Sequence, residues 1–321
     1  MLVTVVLVYT VFVFAYYIYS PSALHVVQTE TSNVPTFNSI AAYTLNCSDI
    51  KDIHLIRKLG IGTSRRAYLG VYQGKHVVVK TAIKNISYDC IAAFEEYRDK
   101  PLKEMVEVIT NCSSKDIRHM LLEIIYHAVL NFPPFIKNLG FCMNATDIGR
   151  EAPKSIYSAM GREVVSVYEY GDQVSPEALR RLSAALKLYY VKQFLQLPHT
   201  LNSTVIGPVA MIDFQTRHLL HVNGQLKIYD LGLYVNEEIT CGPRNHTNPI
   251  LKYLVYRPSF RHDECALGAQ CVNGVCQNMH FLLNEFLISR NLIKYFISEN
   301  LVNNNITTTN KSNVTYSTTP V

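Results

Sequence analysis

Four side chains in this sequence have the types and the order needed to handle phosphate. Lys80 closes the β-branched run KHVVVK, Glu123 lies inside LLEIIYHAVL, and Asp213 and Asp230 stand 17 positions apart in MIDFQTRHLLHVNGQLKIYDLG. A lysine on a strand can neutralise the α and β phosphates of a nucleotide, and a helix glutamate can hold that lysine by a charged hydrogen bond. One loop aspartate can take the proton of an acceptor hydroxyl, and a second can bind a metal ion bridging two phosphates. Upstream, Gly60 and Gly62 in LGIGTSRRAYLGVY would let backbone N–H groups approach phosphate, although the third glycine of a G-x-G-x-x-G pattern is replaced by Arg65. Each feature alone has a plain structural reading: a hairpin, a surface lysine, a glutamate on an amphipathic helix, a turn aspartate. Their order along the chain is more specific than any one of them.

The elements around these residues are the ones such chemistry needs. Residues 50–83 read as three strands (HLIRKLG, RAYLGVY and KHVVVK) separated by glycine turns. Residues 84–114 are polar, with two cysteines and two glycosylation sequons, and read as a loop or partly helical insertion. Ile117, Met120, Leu121, Ile124, Ala128 and Val129 recur at helical spacing over 115–130. Strand-like segments follow at 135–143 and 163–169. A helix is predicted over 176–196, with Leu179, Leu182, Leu186, Tyr189 and Val191 near one face. Residues 210–230 read as strand–turn–strand pivoting on Asn223-Gly224, a favourable hairpin turn. A cysteine-rich loop and a last helix at 279–298 complete the pattern.

The composition excludes several classes. The chain has 321 residues, 48% of them apolar and 17% charged, which rules out disorder throughout. The net charge of +5 comes with no long basic run, so no nucleic-acid partner is expected. Leu2 to Tyr19 is an 18-residue stretch without a charge, followed by small residues. Residues 1–23 therefore read as a signal peptide or a signal anchor, cleaved or retained, and membrane contact is expected only through that segment if it stays. Residues 24–46 read as a stalk and 301–321 as a flexible Asn/Thr-rich tail.

Entry into the secretory pathway gives meaning to two further counts. N-x-S/T sequons occur at Asn46, Asn85, Asn111, Asn144, Asn202 and Asn245, with three more at Asn305, Asn310 and Asn313. The eight cysteines (Cys47, Cys90, Cys112, Cys142, Cys241, Cys265, Cys271 and Cys276) then become disulfide candidates. Eight cysteines allow 105 pairings, and sequence does not choose among them. The competing reading is zinc, but the C-terminal C-x5-C-x4-C spacing fits neither usual knuckle pattern.

Taken in order, the glycine hairpin, Lys80, Glu123, Asp213 and the Asp-Leu-Gly of Asp230 resemble the divergent secretory-pathway protein kinases. That group includes the extracellular tyrosine kinase called vertebrate lonesome kinase and the divergent kinase-domain proteins of the endoplasmic reticulum and Golgi. The resemblance covers roughly residues 47–298 and is most specific over MIDF…QLKIYDLG. It implies an α+β, two-lobed kinase-like fold over 47–300, with a small β-rich N-lobe (about 47–170) and a shortened, disulfide-stapled helical C-lobe (about 171–300). It implies ATP as phosphoryl donor and Mg²⁺ or Mn²⁺ as cofactor. Gly60, Gly62, Lys80 and Glu123 would bind ATP, Asp213 would be catalytic, and Asp230 would hold the metal. Backbone groups near Glu169 and Tyr170 would meet the adenine edge. The substrates would be secreted or lumenal proteins, met in the endoplasmic reticulum, the Golgi or outside the cell.

The sequence also departs from the kinase pattern. Met211-Ile212 replaces His-Arg before the loop aspartate, and His218 stands where an asparagine would ligate a second metal ion. Histidine prefers softer ions than Mg²⁺, which favours one metal, Mn²⁺, or no activity. Arg217 and Gln215 lean towards tyrosine as acceptor. Two readings follow: a protein kinase acting on protein hydroxyls, tyrosine above all, or an inactive kinase-fold glycoprotein that acts by binding.

Overall fold

The structure, a computed structural model, describes residues 34–62, 64–83, 88–144, 148–149, 151–157, 161, 163–231, 234–235, 238–241 and 264–296. The proposed targeting segment and tail, and the sequons at Asn85, Asn245, Asn305, Asn310 and Asn313, lie outside these residues. The chain divides after Val34 into two units. Residues 35–46, read above as part of a stalk, belong to the second: Phe37 has no solvent exposure.

The protein is α+β, with a small antiparallel sheet in its N-terminal part. The three glycine-punctuated strands form as expected: β1 (His54–Ile61), β2 (Arg65–Tyr72) and β3 (Lys75–Ala82). With β4 (Asn138–Met143) and β5 (Val164–Glu169) they make a five-stranded sheet in the order β1-β2-β3-β5-β4, antiparallel throughout. Alternation along β3 does the sorting. Val77 and Val79 enter a core with Leu55, Tyr68, Val165 and Val167, while Val78 and Lys80 point to the other face.

Helices pack on both faces, Ile50 joining the Val77–Val79 core and Phe37 the other cluster. Before the sheet come α1 (Phe37–Ile40) and α2 (Cys47–Lys51). The insertion after β3 is more ordered than its polarity suggests. It forms α3 (Tyr88–Tyr97) and α4 (Leu102–Thr110), tied by the Cys90–Cys112 disulfide. The polar residues lie outside, and Cys90, Phe94, Met105 and Ile109 are fully buried. They pack around α5 (Lys115–Val129), which is therefore buried on nearly every side. Phe37, Tyr43, Phe94 and Phe141 meet mostly edge-on, with centroids 5.2–6.2 Å apart, and lock the N-terminal segment to α3 and β4. Gly140 is required here, because a Cβ would lie 2.3 Å from the Leu45 carbonyl oxygen.

After β5 come a short strand β6 (Asp172–Gln173), α7 (Pro176–Arg181) and α8 (Ala184–Asn202), with α6 (Lys154–Tyr157) preceding β5. The helix expected over 176–196 is thus two helices. Leu182 is extended, and Ser183 restarts the helix by capping the Leu186 N–H. The buried face also differs from the expected one. Leu186 and Tyr189 are about half exposed, and α8 buries Tyr190, Phe194, Leu197 and Leu201 instead. Strand β7 (Ala210–Met211) leads to a 3-10 turn (Thr216–His218). The hairpin β8 (Leu219–Val222) and β9 (Gln225–Ile228) follows as read from sequence, its Asn223-Gly224 turn at φ 49° and 82°. Helix α9 (Met279–Ile288) runs through a π-helical turn (Ser289–Ile293) into a last short helix (Lys294–Phe296), so the helix expected over 279–298 is present to the last described residue but interrupted by that turn.

All eight cysteines are paired, as Cys47–Cys142, Cys90–Cys112, Cys241–Cys271 and Cys265–Cys276. No thiolate is left for the zinc reading. Among the described residues no helix is long and apolar enough to cross a membrane.

Candidate functional site

Lys80 reaches the site because β3 places it beside Val78, on the face opposite Val77 and Val79. Glu123 reaches it because Ser114 caps α5 and sets the helix phase, accepting from the Ile117 N–H at 3.5 Å. The two meet at 2.5 Å, Lys80 Nζ to Glu123 Oε1, with Glu123 at 0% exposure and Lys80 at 7%. Lys80 also donates to the Tyr229 carbonyl at 3.2 Å and lies 4.6 Å from the Tyr168 ring centre. The backbone just before Asp230 is thereby fixed to β3.

The residue that completes the site is Arg65, at the start of β2. Its guanidinium contacts Glu123 Oε2 and donates to Asp230 Oδ1 at 3.1 Å. Sequence reading treated Arg65 only as a lost glycine. The structure makes it the bridge between the helix carboxylate and the Asp-Leu-Gly carboxylate. Two basic and two acidic side chains thus meet in a largely buried cluster, where each charge taken out of water needs a partner. Burial and the Arg65 charge pull the Lys80 ammonium below its ordinary 10.5, to about 7, with Asp230 opposing. His127, one helical turn beyond Glu123, is buried and held well below 6.5 by burial and by Lys80, so it is neutral.

Asp213 sits on the loop between β7 and the 3-10 turn, half-buried, accepting from Gln215 Nε2 at 2.6 Å. The loop is braced from α9 and the π turn by residues that sequence reading missed. Asn284, fully buried, accepts from the Met211 N–H at 2.7 Å and donates to the Val209 carbonyl at 2.8 Å. Asn291 donates to the Phe214 carbonyl at 2.7 Å, and Thr216 donates to the Asn291 carbonyl at 2.7 Å. A lone asparagine inside MHFLLNEFLI was the only available signal for the first.

His218 is buried beside Asp213 and Asp230, and its Nε2 accepts from Arg217 Nε at 3.3 Å, so that nitrogen is already used within the protein. Burial lowers its pKa. The hard-oxygen donor for an ion is thus the Asp230 carboxylate, 26% exposed, which suits Mg²⁺ or Mn²⁺. Gly60 and Gly62 lie on the β1–β2 hairpin above, where the Gly62 N–H donates to the Arg65 carbonyl at 2.8 Å. Beside Lys80, Val78 and Leu220 are half-buried and pack against Ile136, Tyr168, Val222 and Tyr229, which makes an apolar wall next to the charged cluster. Glu169 is fully engaged at the adjoining strand end. Its carboxylate accepts from Lys227 Nζ at 2.5 Å and from the Lys137 N–H at 2.7 Å, while its own N–H donates to the Lys137 carbonyl.

The chain matches no family model and no curated protein. The site therefore rests on its own geometry. Of the sequence-derived set, the structure brings Lys80, Glu123 and Asp230 into one cluster and puts Asp213 and His218 on the adjoining loop. Of the sequons, Asn46, Asn111 and Asn144 are exposed and Asn202 is half-buried; Asn46 caps α2 through its Oδ1 and Asn111 donates to the Glu107 carbonyl.

Proposed function

We propose that this chain is a kinase-like phosphotransferase with a two-lobed fold, moving the γ-phosphoryl group of ATP to a protein hydroxyl, tyrosine above all. The observation that carries the reading is the Lys80–Glu123 ion pair, joined to Asp230 by Arg65 on one face of an antiparallel sheet. Lys80 would neutralise the α and β phosphates, with Glu123 holding it in place. Asp230 would hold Mg²⁺ or Mn²⁺, which supplies charge neutralisation at the phosphates. Asp213, oriented by Gln215, would take the acceptor's proton. The hydroxyl oxygen bonds to the γ-phosphorus, and the bond from that phosphorus to the β–γ bridging oxygen breaks, leaving ADP. The paired cysteines and exposed sequons fit a secreted or lumenal setting, and secreted or lumenal proteins as substrates.

A second reading, an inactive kinase-fold glycoprotein acting by binding, is favoured by one observation: Arg65 already neutralises Asp230 and Glu123. The two separate in one assay. The purified protein is incubated with γ-labelled ATP, Mn²⁺ or Mg²⁺ and a tyrosine-containing acceptor, alongside Asp213→Asn. Label above that control supports the enzyme; none, with no metal-dependent thermal shift by ATP, supports the binder, whose biological effect Lys80→Met should leave intact.

A further inference from the structure

Arg65 poses a question that the proposed chemistry does not answer. The carboxylate best suited to a metal ion is already engaged by a guanidinium, with Arg65 Nη2 3.1 Å from Asp230 Oδ1. The same guanidinium reaches the Glu123 oxygen that Lys80 does not bond. Arg65 is 14% exposed and sits at the start of β2, directly after the hairpin that carries Gly60 and Gly62. Removed from this pairing, its charge would lie beneath that hairpin, beside Lys80. A guanidinium binds phosphate oxygens at least as well as carboxylate oxygens, through the same forked donors.

We propose that Arg65 is an exchangeable internal cation: it holds Asp230 and Glu123 when the site is empty and moves to the phosphates of a nucleoside triphosphate when one binds. The proposal rests on the reading of Asp230 as the metal carboxylate and of the cleft as a nucleotide site. Charge bookkeeping supports it. A divalent ion arriving alone must compete with Arg65 for Asp230 and would add positive charge beside Arg65 and Lys80. Polyphosphate brings the negative charge that draws Arg65 away, so Arg65 leaves the Asp230 carboxylate when the phosphates arrive to share the ion. Glu123 keeps Lys80 throughout, so it is not left without a counter-charge when Arg65 moves. The exchange makes the protein resist metal without nucleotide, and it recruits Arg65 to replace what a glycine-only hairpin lacks.

The exchange predicts two effects of opposite sign in one variant. Arg65→Gln removes the charge and the forked donors while keeping a polar side chain that can still donate a hydrogen bond. Calorimetric titration of the full chain with Mn²⁺ alone should show about tenfold tighter binding than wild type, within the usual range of coupling between sites. Titration with a non-hydrolysable ATP analogue in the presence of a chelator should show about tenfold weaker binding. The gain in Mn²⁺ affinity should disappear in Arg65→Gln/Asp230→Asn. Arg65→Lys, which keeps a charge but not the fork, should shift both values in the same directions by less, and it serves as the test if the glutamine variant does not fold. Binding of both probes with affinities unchanged in the Arg65 variants, or changed with the same sign, overturns the exchange and leaves the phosphotransferase reading standing. Absence of any Asp230-dependent binding of Mn²⁺ or the analogue, in wild type and variants alike, overturns both.

Discussion

Replacing Glu123 by glutamine removes one negative charge from a buried cluster of two cations and two carboxylates at almost no change in volume. Lys80 Nζ and Glu123 Oε1 are 2.5 Å apart. At an effective dielectric constant of ~20, unit charges at that distance attract by about 7 kcal/mol. Most of this offsets the desolvation of two groups that are almost wholly buried. Removing one partner of such a pair costs about 3–5 kcal/mol, because the other charge is left behind. Here the remaining groups keep some compensation: Lys80 retains the Tyr229 carbonyl and the Tyr168 ring face, and Arg65 retains Asp230. The low end of the range therefore applies, about 3 kcal/mol, or roughly 6–12 °C in Tm for a protein of this size. Lys80→Met should cost about 2 kcal/mol, since Glu123 still has Arg65. The double variant should cost less than the sum by about 1–3 kcal/mol, because neither partner is orphaned. Urea unfolding of the four proteins with disulfides intact measures all of these. Single costs that add to within about 0.5 kcal/mol would refute the view that Lys80 and Glu123 act as one unit.

Three further outcomes are expected. Cys90→Ser/Cys112→Ser opens a loop of 22 residues and should lower stability by about 3 kcal/mol, with faster amide exchange in α3 and α4; exchange rising uniformly instead would mean the disulfide does not hold that pair of helices. Asn284→Leu leaves the Met211 N–H and Val209 carbonyl without their partner and should cost about 2–4 kcal/mol while depressing transfer activity, because Asp213 lies two residues on; full activity in a destabilised variant would separate α9 from the loop's positioning. His119 is lowered from 6.5 to about 4 by burial and by Arg65, Arg118 and Lys115, so between those values the unfolded chain binds more protons and stability falls as the pH drops from 6.5 towards 4. His119→Gln should lose less of its urea midpoint across that window, and an equal loss would assign the acid sensitivity elsewhere.

Period-2 patterning made β3 and the face of Lys80 legible, because alternation is a local property of the strand. The 3.6-residue period did the same for α5. It misplaced the buried face of α8, because a run such as AALKLYYVKQFLQL offers apolar residues on two faces and only tertiary packing, against α9 and for Tyr190 against Phe296, selects Tyr190, Phe194, Leu197 and Leu201. The insertion at 84–114 read as a loop or partly helical because of its two sequons and interspersed polar residues, yet eight of its apolar residues become core where α3 and α4 pack around α5.

The sequence by itself determined the types and order of the charged groups at the candidate site, the strand that presents Lys80, the helix that carries Glu123 and the hairpin between Asp213 and Asp230. Each depends on neighbours a few positions away. Only the tertiary structure decided which of 105 cysteine pairings forms, that Asn284 and Asn291 brace the Asp213 loop, and that Arg65 bridges Glu123 and Asp230. Those outcomes join residues far apart in the chain, 165 positions in the case of Arg65 and Asp230. A buried charge must find its counter-charge wherever the fold brings one, and no local pattern records which partner that will be.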